Sequence, residues 1–466
     1  MDPSMTFDPA LLQRYDKAGP RYTSYPTALQ FDKSFDESML REHIRRSNAE
    51  LIPRRLSLYL HIPYCFSPCF YCGCTRVITR DLSRGRAYVE RLVREIAMVG
   101  AMFDRDRDVI QLHLGGGTPN FLRPRELGEL MDSLVSHFHL SASPARDYSI
   151  ELDPRTVEAG DVYLYAALGF NRASLGVQDF DPVVQQAVNR IQSVEQTLQV
   201  IEACRAERFR SVNVDLIYGL PKQTAQGFGR TLDIVTDARP DRLAIYGYAH
   251  LPHMFKGQRQ IEAADLPSAE AKLDLLRLAI DKLTAAGYVY IGMDHFALPE
   301  DELAKAYVAG TLHRNFMGYT THDQCDLVGL GMSAISHISD SFSQNARDVT
   351  TWEAALDEGR LPLWRGLRLA TDDVIRADVI QDLMCNGQVD PSEIERRHDI
   401  DFHEYFAAEV TRLQPLIADG LVSMEAGRIA VTSRGRLLVR IIAMCFDHYL
   451  NRAQTPDAKP AYSRVV

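Results

Sequence analysis

From residue 56 onward, short apolar and β-branched runs alternate with longer stretches whose apolar residues recur at helical spacing. The runs at 56–62, 109–114, 148–152, 172–177, 211–217, 243–248 and 288–293 predict strands, and 85–103, 126–138, 194–207 and 269–286 predict helices between them. In the last of these, Leu273, Leu276, Ile280 and Leu283 form one stripe that reads as a core-facing side. Repeated strand–helix units with short loops imply parallel strands with helices outside them. The fold class expected is therefore α/β, a partial (β/α) TIM-like barrel.

The flanks read differently. Residues 1–35, with Arg21-Tyr-Thr-Ser-Tyr-Pro-Thr27, are rich in proline and tyrosine and predict an extended N-terminal arm. Residues 36–340 carry the barrel pattern of a catalytic domain. In 341–466 the stretch 364–446 has helical periodicity, little glycine and one β-like segment at 427–432. It is expected to be a mainly helical C-terminal domain covering the active site.

Composition narrows the class. At 466 residues the chain is too long for one ordinary core, and about two domains are expected. Hydrophobic residues at 46% and charged residues at 24% are ordinary for a globular protein, and a net charge of -10 argues against general nucleic-acid binding. The best apolar stretch near the C-terminus, 437–446, is broken by Arg440, so no membrane span is expected. Residues 1–48 carry Asp, Glu, Pro and Arg throughout, with no apolar segment that would mark export. The expected compartment is the cytoplasm, where disulfides are disfavoured.

The polar and glycine-rich punctuation falls at the C-terminal ends of the expected strands. Cys65 follows the first, Gly115-Gly-Gly-Thr-Pro119 the second, Glu151 the third, Gln178-Asp179 the fourth, Gly219-Leu-Pro221 the fifth and Tyr248-Ala-His250 the sixth. Barrel active sites are built at that end, so one rim gathers all of them.

Cys65, Cys69, Cys72 and Cys74 lie within ten residues, the first three spaced C-x3-C-x2-C. Three thiolates on one short loop can hold three corners of a cubane iron–sulfur cluster and leave the fourth iron open to a ligand. Zinc usually draws on two separated knuckles, and no second C-x2-C or H-x3-H stands at a suitable distance, so the cluster is the favoured reading. The glycines at 115–117 leave backbone N–H and C=O groups open to close approach, although a plain strand-end turn accounts for them equally when taken alone. Glu151 is suited to a ribose diol or an ammonium group, or to a solvated loop position. Asp215, between Val214 and Leu216, would be costly unpaired; a ligand hydroxyl or a basic neighbour such as Arg190 would relieve it.

The C-x3-C-x2-C loop after a first barrel strand resembles that of the radical S-adenosylmethionine enzymes. The resemblance implies that Cys65, Cys69 and Cys72 bind a [4Fe-4S] cluster, with S-adenosylmethionine on the fourth iron as the source of a 5′-deoxyadenosyl radical. The thiols must then be deprotonated, which the iron enforces. Tyr71 suits packing over the adenine, or shielding of the cluster. Within those enzymes the chain resembles the oxygen-independent coproporphyrinogen III oxidases over nearly its whole length. The resemblance rests on Gly19-Pro-Arg-Tyr-Thr-Ser-Tyr-Pro26, Cys74, Gly176-Val-Gln-Asp-Phe180, Asp215-Leu-Ile-Tyr-Gly-Leu-Pro-Lys222, Gly292-Met-Asp-His-Phe296 and Leu312-His-Arg-Asn-Phe-Met-Gly-Tyr-Thr320.

That resemblance implies oxidative decarboxylation of two propionates of coproporphyrinogen III. It also implies two S-adenosylmethionine molecules per chain. The first would touch Tyr59, Gly116, Glu151 and Ile335, and the second Tyr71, Gly117, Thr118, Gln178, Arg190, Asp215 and Ala249. Cys74 would serve turnover without ligating iron, a reduced flavodoxin or ferredoxin-like protein would supply electrons, and the chain would be a monomer. Leu114 and Met317 depart from the family pattern, where an aromatic and a polar residue can occur. Arg21, Arg314 and Lys222 are candidates for the substrate carboxylates. A haem-binding chaperone is a rival reading, although such relatives lack the 21–26 arm, the fourth cysteine and His313-Arg-Asn315. A radical methyltransferase is another rival, distinguished by S-adenosylhomocysteine as product.

Overall fold

The computed structural model describes residues 5–425, 427–450 and 462–465. The chain forms two compact units, a larger one of Phe31–Ser268 with Gln324–Arg368 and a smaller one of Met1–Gln30, Ala269–Asp323 and Leu369–Val466. Neither is contiguous, and their edges fall elsewhere than the 35/36 and 340/341 boundaries read from the sequence.

In the larger unit six strands run parallel in chain order: β1 Arg55–Ile62, β2 Asp108–Gly116, β3 Asp147–Leu152, β4 Arg172–Gln178, β5 Ser211–Tyr218 and β6 Arg242–Gly247. Each pairs with the next. On its other side β1 pairs parallel with β7 Cys325–Leu330, which continues antiparallel into β8 Ile335–Ile338, β9 Ser341–Asn345 and β10 Leu363–Arg368. Among the described residues no pairing joins β6 to β10, so the sheet is open, a partial barrel.

Helices α1 Ser83–Gly100, α2 Pro124–His137, α3 Val194–Ala206 and α4 Ala225–Ala238 lie in the connections. Two of them start where the sequence supplies caps: for α3, Ser193 accepts from the Gln196 amide at 3.1 Å, and for α4, Thr224 accepts from the Gly227 amide at 3.1 Å. Period-two alternation divides each strand. Leu58, Leu60, Leu112, Leu114, Ile150, Leu175, Val214 and Leu216 are fully buried, each worth roughly 1.5–3 kcal/mol of transfer free energy. Residues of the other parity, among them Tyr59, His113, Ser149, Glu151, Ser174, Asn213 and Asp215, are polar and share the opposite face. Leu114 therefore belongs to the core, away from that polar face.

One buried carboxyl fastens the far side of β1. Glu95 of α1 accepts from the Gly331 amide and from Trp352 Nε1, both at 2.9 Å, and from Asn345 Nδ2 at 2.6 Å. Burial still pushes it up to about 7. Tyr88, stacked on Trp352 at 4.4 Å, donates to the His61 carbonyl at 2.8 Å and so holds the exit of β1.

The smaller unit has a core drawn from all three of its segments, with Leu11, Leu12, Tyr22 and Tyr25 beside Leu312, Val379, Phe402, Phe406, Leu413 and Ile442. The arm is thus a built-in element. Pro9–Tyr15 is helical because Pro9 opens it and Asp8 caps it, accepting from the Leu11 amide at 3.1 Å. Helices dominate 369–450, with one small sheet formed by Gln388–Val389, Val422–Glu425 and Arg428–Val431.

Candidate functional site

The cysteine loop leaves β1 and is held by one arginine. Arg76 donates to the carbonyls of Cys72 and Cys69, both at 3.1 Å, so a single guanidinium fixes the path of the loop. None of the eight cysteines forms a disulfide. Thr118 Oγ1 donates to Cys65 Sγ at 3.4 Å, and Arg190 Nη1 reaches Cys69 Sγ at 3.5 Å. Cys72 receives the Cys74 amide at 3.4 Å and a hydrogen bond from the Cys74 thiol. That thiol, ahead of burial and aided by Arg76, draws Cys72 down to about 6, while burial lifts Cys65 to about 11. Cys74 itself is exposed, and its partnership with Cys72 raises its thiol.

No three His, Cys, Asp or Glu side chains of the described residues converge on a single ion position. Ligands of a cubane bind separate irons and do not need to.

The glycine run packs against the loop. The Gly117 amide donates to the Ile62 carbonyl at 2.8 Å, and the Gly116 amide to Glu151 Oε2 at 3.1 Å. Gly116 has φ +113, and a Cβ there would meet the His61 ring at 2.6 Å; at Gly117 it would lie 2.7 Å from the Pro63 carbonyl carbon. The chain's own backbone and histidine thus demand these glycines, a reason nearer than ligand access.

From there a polar row crosses the sheet. Tyr59 stacks on His113 at 5.7 Å and meets His61 Nδ1 at 3.0 Å. His113 reaches Ser149 Oγ at 2.6 Å and Glu151 Oε1 at 3.1 Å. Burial pushes the Glu151 carboxyl up, but His113 and the Gly116 amide outweigh it and the net shift is down. Each Glu151 oxygen keeps acceptor capacity beyond these bonds.

Farther along, Asn213 Nδ2 donates to Asp215 Oδ1 at 2.8 Å and Ser174 Oγ to its Oδ2 at 3.3 Å. The expected Arg190 partnership is replaced, since Arg190 bonds the Gly176 carbonyl and Asp153, the latter at 3.2 Å, for Asp153 lies nearer its fork. With only neutral hydrogen-bond partners, Asp215 is pushed up to about 7 by burial, the Glu151 charge adding to it and the Arg190 charge offsetting only part. Arg190 Nε is buried with no partner in the protein. Gln178 adopts φ +72 at the bulge that ends β4.

Gln258 closes the rim, donating to the carbonyls of Tyr71 at 2.9 Å and Ala249 at 3.1 Å. Tyr71 packs on a small cluster that includes Val184, Val188, Ile217, Leu220 and Tyr248. Ile335 opens β8, two strands from β1. The larger unit thus carries every expected cluster and cosubstrate residue. Lys222 lies apart from the row, paired with Asp265 at 3.5 Å with both side chains well exposed. Arg21, Arg314 and Met317 belong to the smaller unit.

The chain matches the Radical SAM superfamily over residues 59–235 and the HemN C-terminal domain over 369–438. It is 51% identical over 463 residues to the oxygen-independent coproporphyrinogen III oxidase of Pseudomonas aeruginosa, covering 99% of both chains. The chain belongs to the oxygen-independent coproporphyrinogen III oxidase family. The Escherichia coli relative of the same name is 47% identical, over 99% of this chain and 98% of that one. The solved coproporphyrinogen III oxidase from Escherichia coli, described as a radical SAM enzyme, superposes with TM-score 0.91 at 45% identity, covering 96% of this chain and all of that one. Family membership favours the oxidase reading over the chaperone and methyltransferase rivals.

Four residues of the site escaped sequence reasoning. Arg76 and Gln258 act on backbone carbonyls, which leave no mark in a sequence. Asp153 and His113 stood in plain view, but only the register of β2, β3 and β4 gives them partners.

Proposed function

We propose that this chain converts coproporphyrinogen III to protoporphyrinogen IX without oxygen, turning two propionate side chains into vinyl groups. The observation that carries the reading is near-full-length identity with oxidases of that name, joined to a cysteine loop opening on a polar row across the sheet.

The donor set fits the group the family implies. Cys65, Cys69 and Cys72 would hold a [4Fe-4S] cluster: all three are free thiols on one stapled loop, and Cys72 already favours the thiolate. When bound, the cluster and S-adenosylmethionine would supply one-electron radical chemistry directed at the propionate β-carbon. Tyr59, Gly116, Glu151 and Ile335 would receive the first S-adenosylmethionine. Tyr71, Gly117, Thr118, Gln178, Arg190, Asp215 and Ala249 would receive the second, where the orphaned Arg190 Nε offers a donor and the Asp215 carboxyl, titrating near neutrality, accepts or donates at a ligand hydroxyl. Cys74 is exposed beside the loop and holds a proton that it can pass to the reaction chamber. A reduced flavodoxin or ferredoxin-like donor, a cytoplasmic location and a monomeric chain complete the proposal. No helix among the described residues is long and apolar enough to cross a membrane.

Anaerobic incubation with coproporphyrinogen III, S-adenosylmethionine and dithionite tests it. Protoporphyrinogen and 5′-deoxyadenosine should appear together, and equilibrium binding should count two S-adenosylmethionine molecules per chain. S-adenosylhomocysteine with a methylated product, or no loss of carbon dioxide, would sink the reading.

A further inference from the structure

Within the smaller unit, three guanidiniums gather around one carboxylate. Arg21 forms an ion pair with Asp294, and the charges of His295 and Arg314 also lower the Asp294 carboxyl. Arg440, 3% exposed, donates to the carbonyls of Pro20, at 2.9 Å, and Gly19. It thereby fixes the two residues in front of Arg21. Burial, then the charges of Arg21 and Arg314, push Arg440 down to about 10, so the three arginines feel one another. Among the described residues Asp294 is the carboxylate these arginines share, and buried positive charge without a counter-charge is costly.

Arg314 is the sharpest case. It is 8% exposed and its guanidinium lies 4.7 Å from the centre of the Tyr319 ring. Its Nε and Nη1 are both buried with no hydrogen-bond partner in the protein. Guanidiniums present a fork that suits a carboxylate in two-point contact, and an unfilled buried fork is rare because each lost bond is expensive. Lys222, the third candidate cation of the sequence, is already paired and solvated.

We propose that Arg314 and Arg21 form an anion site that takes carboxylate groups of the porphyrinogen, with Arg440 a positioning residue behind Arg21. The proposal rests on the decarboxylase reading and adds to it the residues that recognise the acid groups. Asp294 orients Arg21, and the Tyr319 face holds Arg314 in place.

The test is fluorescence titration of the full, anaerobically prepared chain with coproporphyrin III, the stable oxidised ring bearing the same four carboxylates, and with its tetramethyl ester. Arg314→Gln and Arg21→Gln should each weaken acid binding by about ten- to hundredfold while leaving the ester within about twofold. Arg314→Lys should recover only part, since a point charge lacks the fork. Unchanged acid affinity in both Gln variants overturns the site, as does a parallel loss for acid and ester, which marks a packing role. Should Arg314→Gln lose its cooperative melt, the partly exposed Arg21→Gln decides. An unaltered chain that binds neither ring tells against the decarboxylase reading and this inference together. Protoporphyrinogen formation by the unaltered chain, with normal acid binding in both Gln variants, overturns the arginine site alone.

Discussion

Asp215 keeps only neutral partners, Asn213 and Ser174, on a face shared with the Glu151 carboxylate. Its carboxyl is therefore lifted to about 7. The unfolded chain ionises the group near the ordinary value of about 3.9, so from about pH 4 to 7 the folded state holds a proton that the unfolded state has released. Stability falls as pH rises through that window and levels off above it, by on the order of 2–3 kcal/mol once partial exposure is allowed for. Asp215→Asn removes this slope. Its urea midpoint should gain steadily on that of the unaltered chain from pH 4 to 7, and parallel curves would show that the shift is absent. Cys74 invites a second test, because serine keeps nearly the same volume and tests the thiol itself. Cys74→Ser should retain cluster absorbance and S-adenosylmethionine binding yet lose most protoporphyrinogen formation. Near-normal turnover would reduce Cys74 to a filler.

Among the elements, the strand–glycine junction is the least forgiving. Gly117→Ala drives a methyl into the Pro63 carbonyl, and the cost should be about 1–3 kcal/mol with poorer retention of iron on reconstitution. Gly128, inside α2 with nothing within 4 Å of a built Cβ, is the contrast: Gly128→Ala should stabilise by about 0.5–1 kcal/mol. Denaturant melts of the two variants check the sign, and equal effects would refute the packing argument. These elements were also the legible part of the sequence. Every expected barrel strand falls within a residue or two of an observed one, because each apolar run stops at a polar residue or at a glycine or proline turn. What sequence could not give was register. That Ser149, Ser174 and Asn213 would line up beside Glu151 and Asp215 depends on which strand residue faces which, and a lone serine in an apolar run gives no hint of it. Arg190 acts on Asp215 through its charge only, since its ion pair goes to the nearer carboxylate, Asp153, which follows a different strand.

At the scale of the whole molecule, residues 8–25 are structural members of a unit completed by residues 402–442. Leu11 and Leu12 are buried there, Arg14 pairs with Asp419 at 2.9 Å, and Arg434 with Asp8 at 2.7 Å. Deleting residues 1–16 removes two core leucines, on the order of 4–6 kcal/mol, and should lower the melting midpoint by roughly 10 °C. Calorimetry settles the point, and a midpoint within about 2 °C of the intact chain would mean the arm is dispensable. Periodicity could not foresee this, because it reads neighbours in sequence, and the arm's neighbours lie some four hundred residues away.

The pairing of β1 with β7 has a consequence for synthesis. Strand β1, which launches the cysteine loop, lies inside the finished sheet, but its partner at 325–330 leaves the ribosome long after β2 to β6 have done so. Until then one edge of β1 stays open, with its N–H and C=O groups free to pair with any passing strand. Premature termination before residue 325 would therefore release a chain that already carries its cysteine loop on an unsealed sheet. Such fragments should aggregate, and the nascent chain passes a long interval with that edge exposed.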